Sequence, residues 1–248
     1  PDSVSYNGPV VAPDVRCYAM VASAYAKSRL GETGAELAEQ VLRRCEKYST
    51  FTKPNVILKT ACLNAWIQAG DWDKADRWLF DIEQRYNITG ERIDAPDTIL
   101  YTHYLEGLAS TKSLSPNQII SRCDKILQKM HALAESRENP YASPNSFTYL
   151  AAMKARSRRR QSANKNENWA TIVEEVEALL RELQERYQAA GKGDPKLKPN
   201  AHCYIPVANA AASSRGGIQA GRYAESWLRE LEHLYLETGG PDYRPLDG

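Results

Sequence analysis

The sequence predicts an all-α protein, an α-solenoid built from stacked antiparallel helix pairs. Three observations predict this fold class: a recurring Pro-Asp or Pro-Asn dipeptide, an apolar segment after each dipeptide, and then a second segment with helical spacing of its apolar residues. A single helix pair cannot bury its apolar face alone, so neighbouring pairs are expected to stack. Five copies predict about ten helices.

The dipeptide marks where one helix ends and the next begins. Proline cannot continue the preceding helix, and Asp or Asn beside it is a good N-cap for the following helix. The copies are Pro13-Asp14, Pro54-Asn55, Pro96-Asp97, Pro144-Asn145 and Pro199-Asn200. They recur after 41, 42, 48 and 55 residues, so the repeats lengthen along the chain. Longer second helices and polar inserts account for this growth.

A first helix is predicted after each dipeptide, over residues 15–28, 56–69, 98–111, 146–158 and 201–214. A tyrosine occupies one equivalent position in four of them, and Lys59 takes that position in the remaining helix. We call this position the Tyr slot. Its members are Tyr18, Lys59, Tyr101, Tyr149 and Tyr204. The residues two helical turns further on, Trp66 and Leu108 among them, fall on the same face, which we expect to be buried.

A second helix is predicted in every copy from apolar residues at positions i, i+3, i+4 and i+7. The best copy turns at Ala69-Gly70 and carries Ala75, Trp78, Leu79 and Ile82 on its stripe. The last copy repeats this pattern with Ala220-Gly221 as the expected turn. The remaining stripe residues are Ala38, Val41, Leu42, Cys45, Cys123, Ile126, Leu127, Met130, Val176, Leu179, Leu180, Leu183, Trp227, Leu228 and Leu231. Trp78 and Trp227 are expected to be buried anchors of the two aromatic copies.

Composition narrows the function classes. The 32 basic and 31 acidic residues leave a net charge of +1, so any affinity for nucleic acid must come from local charge. No apolar run approaches the length of a membrane-spanning helix, and no membrane insertion is expected. The five cysteines and four histidines show no spacing typical of metal ligands, so no metal or other cofactor is expected. No catalytic group of residues stands out, and the chain is predicted not to be an enzyme.

These motifs together resemble pentatricopeptide repeats: an aromatic first helix, an Ala-Gly turn, an Ala-x-x-x-Leu second helix and a closing Pro-Asp or Pro-Asn. The resemblance covers residues 13–246 as a solenoid of about five helix pairs and is clearest over residues 56–97. Residues 1–12 are interpreted as the remnant of a preceding repeat or as a linker. Pro206, inside an expected first helix, departs from the pattern. The resemblance implies single-stranded RNA as the ligand, one base per repeat, and a mitochondrial or plastid location.

In this family, the base is selected by the residue after the Tyr slot together with the last residue of the repeat. By that rule, Thr60 with Asp97 favours guanine, and Thr102 with Asn145 favours adenine. The other three pairs are Ala19 with Asn55, Leu150 with Asn200 and Ile205 with Leu246. Leu150, Ile205 and Leu246 cannot form the hydrogen bonds that base selection requires. The alternative for the two good pairs is a purely structural role as helix caps.

One dense basic run is a candidate for contact with RNA phosphates. Its residues are Lys154, Arg156, Arg158, Arg159 and Arg160. Arginine offers two parallel donors that suit a phosphate, whereas the alternative is a solvated loop without a partner. The five tryptophans invite base stacking, but their apolar register favours packing in the core.

The sequence therefore carries two functional hypotheses. The first is an organellar protein that binds single-stranded RNA and acts in RNA processing, stability or translation. The second is a structural scaffold of an organellar ribonucleoprotein or another large assembly, which would hold protein partners along the solenoid or bind folded RNA. The repeats that lack a base-selecting pair favour the second hypothesis.

Overall fold

The computed structural model describes residues 13–48, 53–157, 169–191, 194–212 and 216–238. These residues form ten α-helices and two short 3-10 turns, with no strand among them. The all-α prediction is therefore confirmed for the described part of the chain. The chain divides into two compact units, residues 1–95 and 96–248.

The first unit contains two helix pairs. Its helices are α1 (Val15–Lys27), α2 (Glu32–Lys47), α3 (Val56–Ala69) and α4 (Trp72–Thr89), followed by a 3-10 turn at Arg92–Asp94. The first helices α1 and α3 pack side by side, and α2 packs against both of them. Gly70 ends α3 in the left-handed conformation at φ 79°, which glycine adopts without steric cost. The Ala69-Gly70 turn is therefore where the sequence predicts it.

The second unit contains three helix pairs, and its first helices also pack side by side. Its helices are α5 (Thr98–Ser110), α6 (Pro116–Ser136), α7 (Ser146–Ser157), α8 (Trp169–Ala189), α9 (Ala201–Ala212) and α10 (Gly217–Thr238), with a 3-10 turn at Pro140–Ala142. The first helices α5, α7 and α9 lie side by side in chain order. Each of α6 and α8 packs against the first helix before it and the first helix after it.

Most of the predicted apolar stripes form the core of each unit. All of the stripe residues of α2, α6 and α8 are buried. The second helices are long, with 21 residues in α6 and α8 and 22 in α10, as the wide repeat spacing predicts. Trp66 and Leu108, two turns beyond the Tyr slot, are also fully buried.

Three features of the stripes differ from the sequence prediction. Trp78 is only half-buried, and its indole N–H donates to Glu39 Oε1 at 2.8 Å. Leu228 is exposed on α10, the last helix of the second unit, whereas Trp227 is buried. The Ala220-Gly221 dipeptide does not form a turn, since α10 begins at Gly217 and runs through it. Ala220 is buried within this continuous helix.

Pro206 lies inside α9 and does not prevent that helix from forming. Proline removes one backbone donor and crowds the carbonyl four residues before it, which costs about 3 kcal/mol in a helix interior. Pro206 is itself buried, as are its neighbours Tyr204 and Val207. Tertiary packing of these side chains compensates for the missing hydrogen bond.

Candidate nucleic-acid interface

The Pro-Asx dipeptides cap the first helices as the sequence predicts. Asn55 Oδ1 accepts a hydrogen bond from Leu58 N at 3.1 Å, and Asp97 Oδ1 accepts one from Leu100 N at 2.9 Å. Asn145 Oδ1 accepts from Thr148 N at 2.9 Å. Such a cap contributes about 1 kcal/mol to helix stability. In Asp97, the cap uses only Oδ1, and Oδ2 has no hydrogen-bond partner among the described residues.

In three of the first helices, the residue two positions after the cap has an exposed apolar side chain. In the second unit, Ile99 on α5 is 61% exposed and Phe147 on α7 is 63% exposed. Ile57 takes the same position on α3 in the first unit and is also exposed. Since α5 and α7 pack side by side, the second unit presents this arrangement twice. In each copy, a residue that caps the helix through only one of its two polar side-chain atoms is followed by an exposed apolar residue.

Thr60 and Asp97, the first predicted base-selecting pair, belong to different units. Thr60 lies on α3 of the first unit and is only 8% exposed. Its hydroxyl donates to the carbonyl oxygen of Val56 at 2.7 Å, one turn earlier in the same helix. The Thr60 hydroxyl proton is therefore already used, and little of its side chain faces solvent.

Thr102 and Asn145, the second predicted pair, are joined through Thr148 in the second unit. The hydroxyl oxygens of Thr102 and Thr148 are 3.0 Å apart. The Thr148 hydroxyl in turn donates to Asn145 Oδ1 at 3.0 Å. The structure thus brings both members of this pair into one hydrogen-bonded group, and both stay partly exposed.

Among the described residues, the members of the remaining three pairs form no polar group of this kind. Ala19 is buried on α1, and Leu150 is buried on α7. Ile205 is exposed on α9 but carries no hydrogen-bonding atom in its side chain. Leu246 lies outside the described residues.

The basic run is only partly described. Lys154 is exposed on α7. Arg156 is half-buried, and its guanidinium forms an ion pair with Asp124 on α6. This ion pair joins two helices, so Arg156 has a structural role in addition to any contact with a ligand. Arg158, Arg159 and Arg160 lie outside the described residues.

The tryptophans are mostly core residues. Trp66, Trp72 and Trp227 are buried, and Trp227 packs against the Tyr204 ring with 5.8 Å between ring centroids. Glu39 Oε1 accepts the indole N–H groups of both Trp66, at 2.7 Å, and Trp78, at 2.8 Å. The side chain of Trp169 is not among the described ones. Core packing therefore accounts for the buried tryptophans.

The Tyr slot has a polar role that the sequence does not reveal. Lys59 forms an ion pair with Asp94, Tyr149 donates to Glu182 Oε1 at 2.9 Å, and Tyr204 accepts from Gln184 Nε2 at 3.1 Å. In each case the polar end of the slot residue reaches a partner outside its own helix. In the sequence, this polar role is indicated only by Lys59, which stands where the other first helices have tyrosine. A buried lysine needs an acidic partner.

Glu182 is the centre of a polar cluster in the second unit. His131 Nε2 and Arg186 Nε lie 3.2 and 3.1 Å from Glu182 Oε1, which also accepts from Tyr149. The hydrogen bond from His131, then those from Tyr149 and Arg186, outweigh partial burial and lower the pKa of Glu182 to about 2. Burial raises the pKa of Tyr149, so its hydroxyl stays protonated and remains a donor.

Three further features bear on what the chain can bind or react with. Across the part of the chain that the structure describes, no three His, Cys, Asp or Glu side chains come together as a metal site would require. The same described helices include none long and apolar enough to cross a membrane. Burial raises the pKa of Cys62 and of Cys123 to about 12, which makes both thiols poor nucleophiles.

Comparison with known proteins adds no identification. No protein-family model matches the chain, and no curated protein is significantly similar to it.

Proposed function

We propose that the chain is an organellar helical-repeat protein of the pentatricopeptide type, which binds single-stranded RNA along the first-helix starts of its stacked pairs. Within the second unit, these starts are the residues just after the caps of α5 and α7. The proposal takes its fold and location from the sequence resemblance. It is supported by the repeated arrangement in which a cap residue with one polar atom outside the cap is followed by an exposed apolar residue.

The cap residues can form a helix cap and bind a ligand at the same time. Asp97 caps α5 with one carboxylate oxygen and keeps the other as an acceptor. Asn145 caps α7 with its amide oxygen, so its amide nitrogen keeps two N–H donors that have no partner among the described residues. An acceptor at one helix start and a donor at the next can bind base edges of different polarity.

The exposed apolar residues supply a surface for base stacking. Phe147 is aromatic and largely exposed, and nucleic-acid bases stack on such side chains without regard to sequence. Ile99 offers an aliphatic contact at the equivalent position of the neighbouring helix. Ile99 and Phe147 leave most of their surface uncovered by the unit that carries them. A bound single strand would cover them.

The experiment replaces Phe147 by alanine and measures RNA affinity by fluorescence anisotropy with a labelled single-stranded RNA of random sequence. Loss of one stacked base removes about 1–3 kcal/mol of binding free energy, so affinity should fall at least about fivefold. Leu236→Ala is the matched control, because Leu236 is also exposed and lies on α10 of the same unit. Equal affinities of Phe147→Ala and Leu236→Ala would contradict the proposal.

A second candidate function is a scaffold subunit of an organellar ribonucleoprotein or another assembly. The burial of Thr60 and the use of its hydroxyl within α3 favour this candidate, because that residue offers little to a base. In a scaffold, Ile99 and Phe147 would contact a protein partner or folded RNA instead. A purification from the native source that yields a stable protein partner, with no affinity of the isolated chain for single-stranded RNA, would favour the scaffold.

A further inference from the structure

Thr148 is fully buried, and its side chain connects the two residues of the second base-selecting pair. It is the third residue of α7 and has no exposed surface. Its hydroxyl oxygen lies 3.0 Å from Asn145 Oδ1, 3.0 Å from Thr102 Oγ1 and 3.2 Å from the Asn145 backbone nitrogen. One hydroxyl group therefore takes part in all three contacts.

Counting protons fixes the direction of every hydrogen bond in this group. The backbone N–H of Thr148 donates to the Asn145 side chain, so the accepting atom must be the amide oxygen Oδ1. An amide oxygen cannot donate, and therefore the one hydroxyl proton of Thr148 points to Oδ1. The Thr148 oxygen must then accept from Thr102, which commits the hydroxyl proton of Thr102.

The pair consequently presents a fixed polarity to any ligand. Thr102 offers only the lone pairs of its oxygen, and Asn145 offers only the N–H groups of its amide nitrogen. Adenine carries an amino donor and a ring-nitrogen acceptor on its Watson–Crick edge, whereas guanine carries a carbonyl acceptor and a ring N–H donor in the same two places. An acceptor at Thr102 and a donor at Asn145 match adenine in this order.

We propose that Thr148 is a positioning residue that sets the base preference of Thr102 and Asn145 by fixing their hydrogen-bond polarity. This inference rests on the proposed function. Without the Thr148 hydroxyl, the hydroxyl of Thr102 can rotate and either donate or accept. The pair then excludes guanine less strictly.

The equivalent positions on the other first helices provide an internal comparison. Leu58 and Leu100 follow the caps Asn55 and Asp97 at the same distance and carry no polar side-chain atom. Cys203 takes the position on α9, and its thiol lies 3.6 Å from Asn200 Oδ1. Among these four first helices, only α7 combines a hydroxyl at this position with a threonine after the Tyr slot of the preceding repeat.

The test measures the affinity ratio for two ten-nucleotide oligouridylates, one with a single central adenosine and one with a single central guanosine. The wild-type chain should prefer the adenosine RNA by about tenfold. Thr148→Val keeps the volume but removes the hydroxyl, and the preference should fall to about threefold or less. Thr148→Ser keeps the hydroxyl and should retain the wild-type preference. Thermal unfolding of each variant checks that it is folded.

Two further variants ensure a result if valine is not tolerated. Thr148→Ala removes the hydroxyl without adding bulk, and Thr148→Cys supplies the weaker donor that α9 already accommodates. A folded variant without the hydroxyl that keeps the wild-type preference would overturn the inference and leave the proposed function intact. So would a wild-type chain that binds both RNAs equally. A wild-type chain that binds neither RNA would overturn the proposed function together with the inference.

Discussion

Lys59 on α3 and Asp94 in the following 3-10 turn form an ion pair that is almost wholly enclosed in the first unit. Their side chains are only 7% and 4% exposed. Asp94 Oδ1 also lies 3.1 Å from Arg85 Nε, and Asp94 Oδ2 accepts from Thr89 Oγ1 at 3.2 Å. These bonds tie the end of α4 to the core. The cost of desolvating both charges is offset only while both partners are present.

Asp94→Asn should therefore lower the free energy of unfolding by roughly 3–5 kcal/mol, because it leaves the Lys59 ammonium buried without its counter-ion. Urea titration followed by circular dichroism measures the change. Glu225→Gln is the control, since Glu225 and Arg229 form an exposed pair on α10, with side chains 54% and 74% exposed. Breaking that pair should cost at most about 1 kcal/mol. A loss for Asp94→Asn no larger than for Glu225→Gln would show that the buried pair does not stabilise the unit.

The lowered pKa of Glu182 should make the stability of the second unit depend on pH. Its pKa is lowered from 4.5 to about 2 in the folded chain, first by the hydrogen bond from His131. The ionised carboxylate therefore contributes stability above pH 4.5, and this contribution is lost as the pH falls from 4.5 towards about 2. Glu182→Gln should be less stable than wild type at neutral pH, and the difference should shrink in acid.

The measurement is the urea unfolding free energy of wild type and Glu182→Gln at neutral pH and near pH 3. Glu185→Gln, an exposed glutamate on the same helix, serves as the control and should follow the wild type at both pH values. A stability difference between wild type and Glu182→Gln that stays constant with pH would refute the assignment of Glu182 as the titrating group.

Trp227 and Trp78 should respond differently to alanine, although the sequence places them in the same stripe position. Trp227 is buried against Tyr204, and its removal should cost roughly 3–5 kcal/mol. Trp78 is half-buried, so Trp78→Ala should cost only about 1–2 kcal/mol. Thermal unfolding of the two variants compares them directly. Equal losses would mean that Trp78 is as enclosed as Trp227.

The helices could be predicted because local signals agree with the tertiary structure at these positions. Asn55 and Asp97 begin α3 and α5 where the dipeptide predicts, and the predicted end of α3 at Ala69 is also the observed one. A cap and a helix-breaking proline act within a few residues, so a pattern in the sequence is enough to locate them. The stripes of α2, α6 and α8 are buried for a similar reason, since they depend only on helical periodicity.

The contacts between helices could not be predicted in the same way. Asp94 carries no sequence signal that pairs it with Lys59, which lies 35 residues earlier. Thr148 is an ordinary third residue of a helix until the structure places Thr102 on the neighbouring helix beside it. Ala220-Gly221 resembles the Ala69-Gly70 turn locally, but α10 runs through it and buries Ala220. Contacts of this kind depend on which helices pack together, and the residues near each position in the sequence do not show which helices those are.

Binding of single-stranded RNA by the whole chain is the decisive test of the proposed function. Fluorescence anisotropy with a labelled random-sequence RNA, at about 50 and about 200 mM salt, gives the affinity and its salt dependence. We expect measurable binding at the lower salt, weaker binding at the higher salt, and lower affinity for a fully duplexed RNA, whose bases cannot reach Phe147 or Asn145. No binding of the single strand at about 50 mM salt would rule out the proposed RNA-binding function and leave the scaffold function as the better explanation.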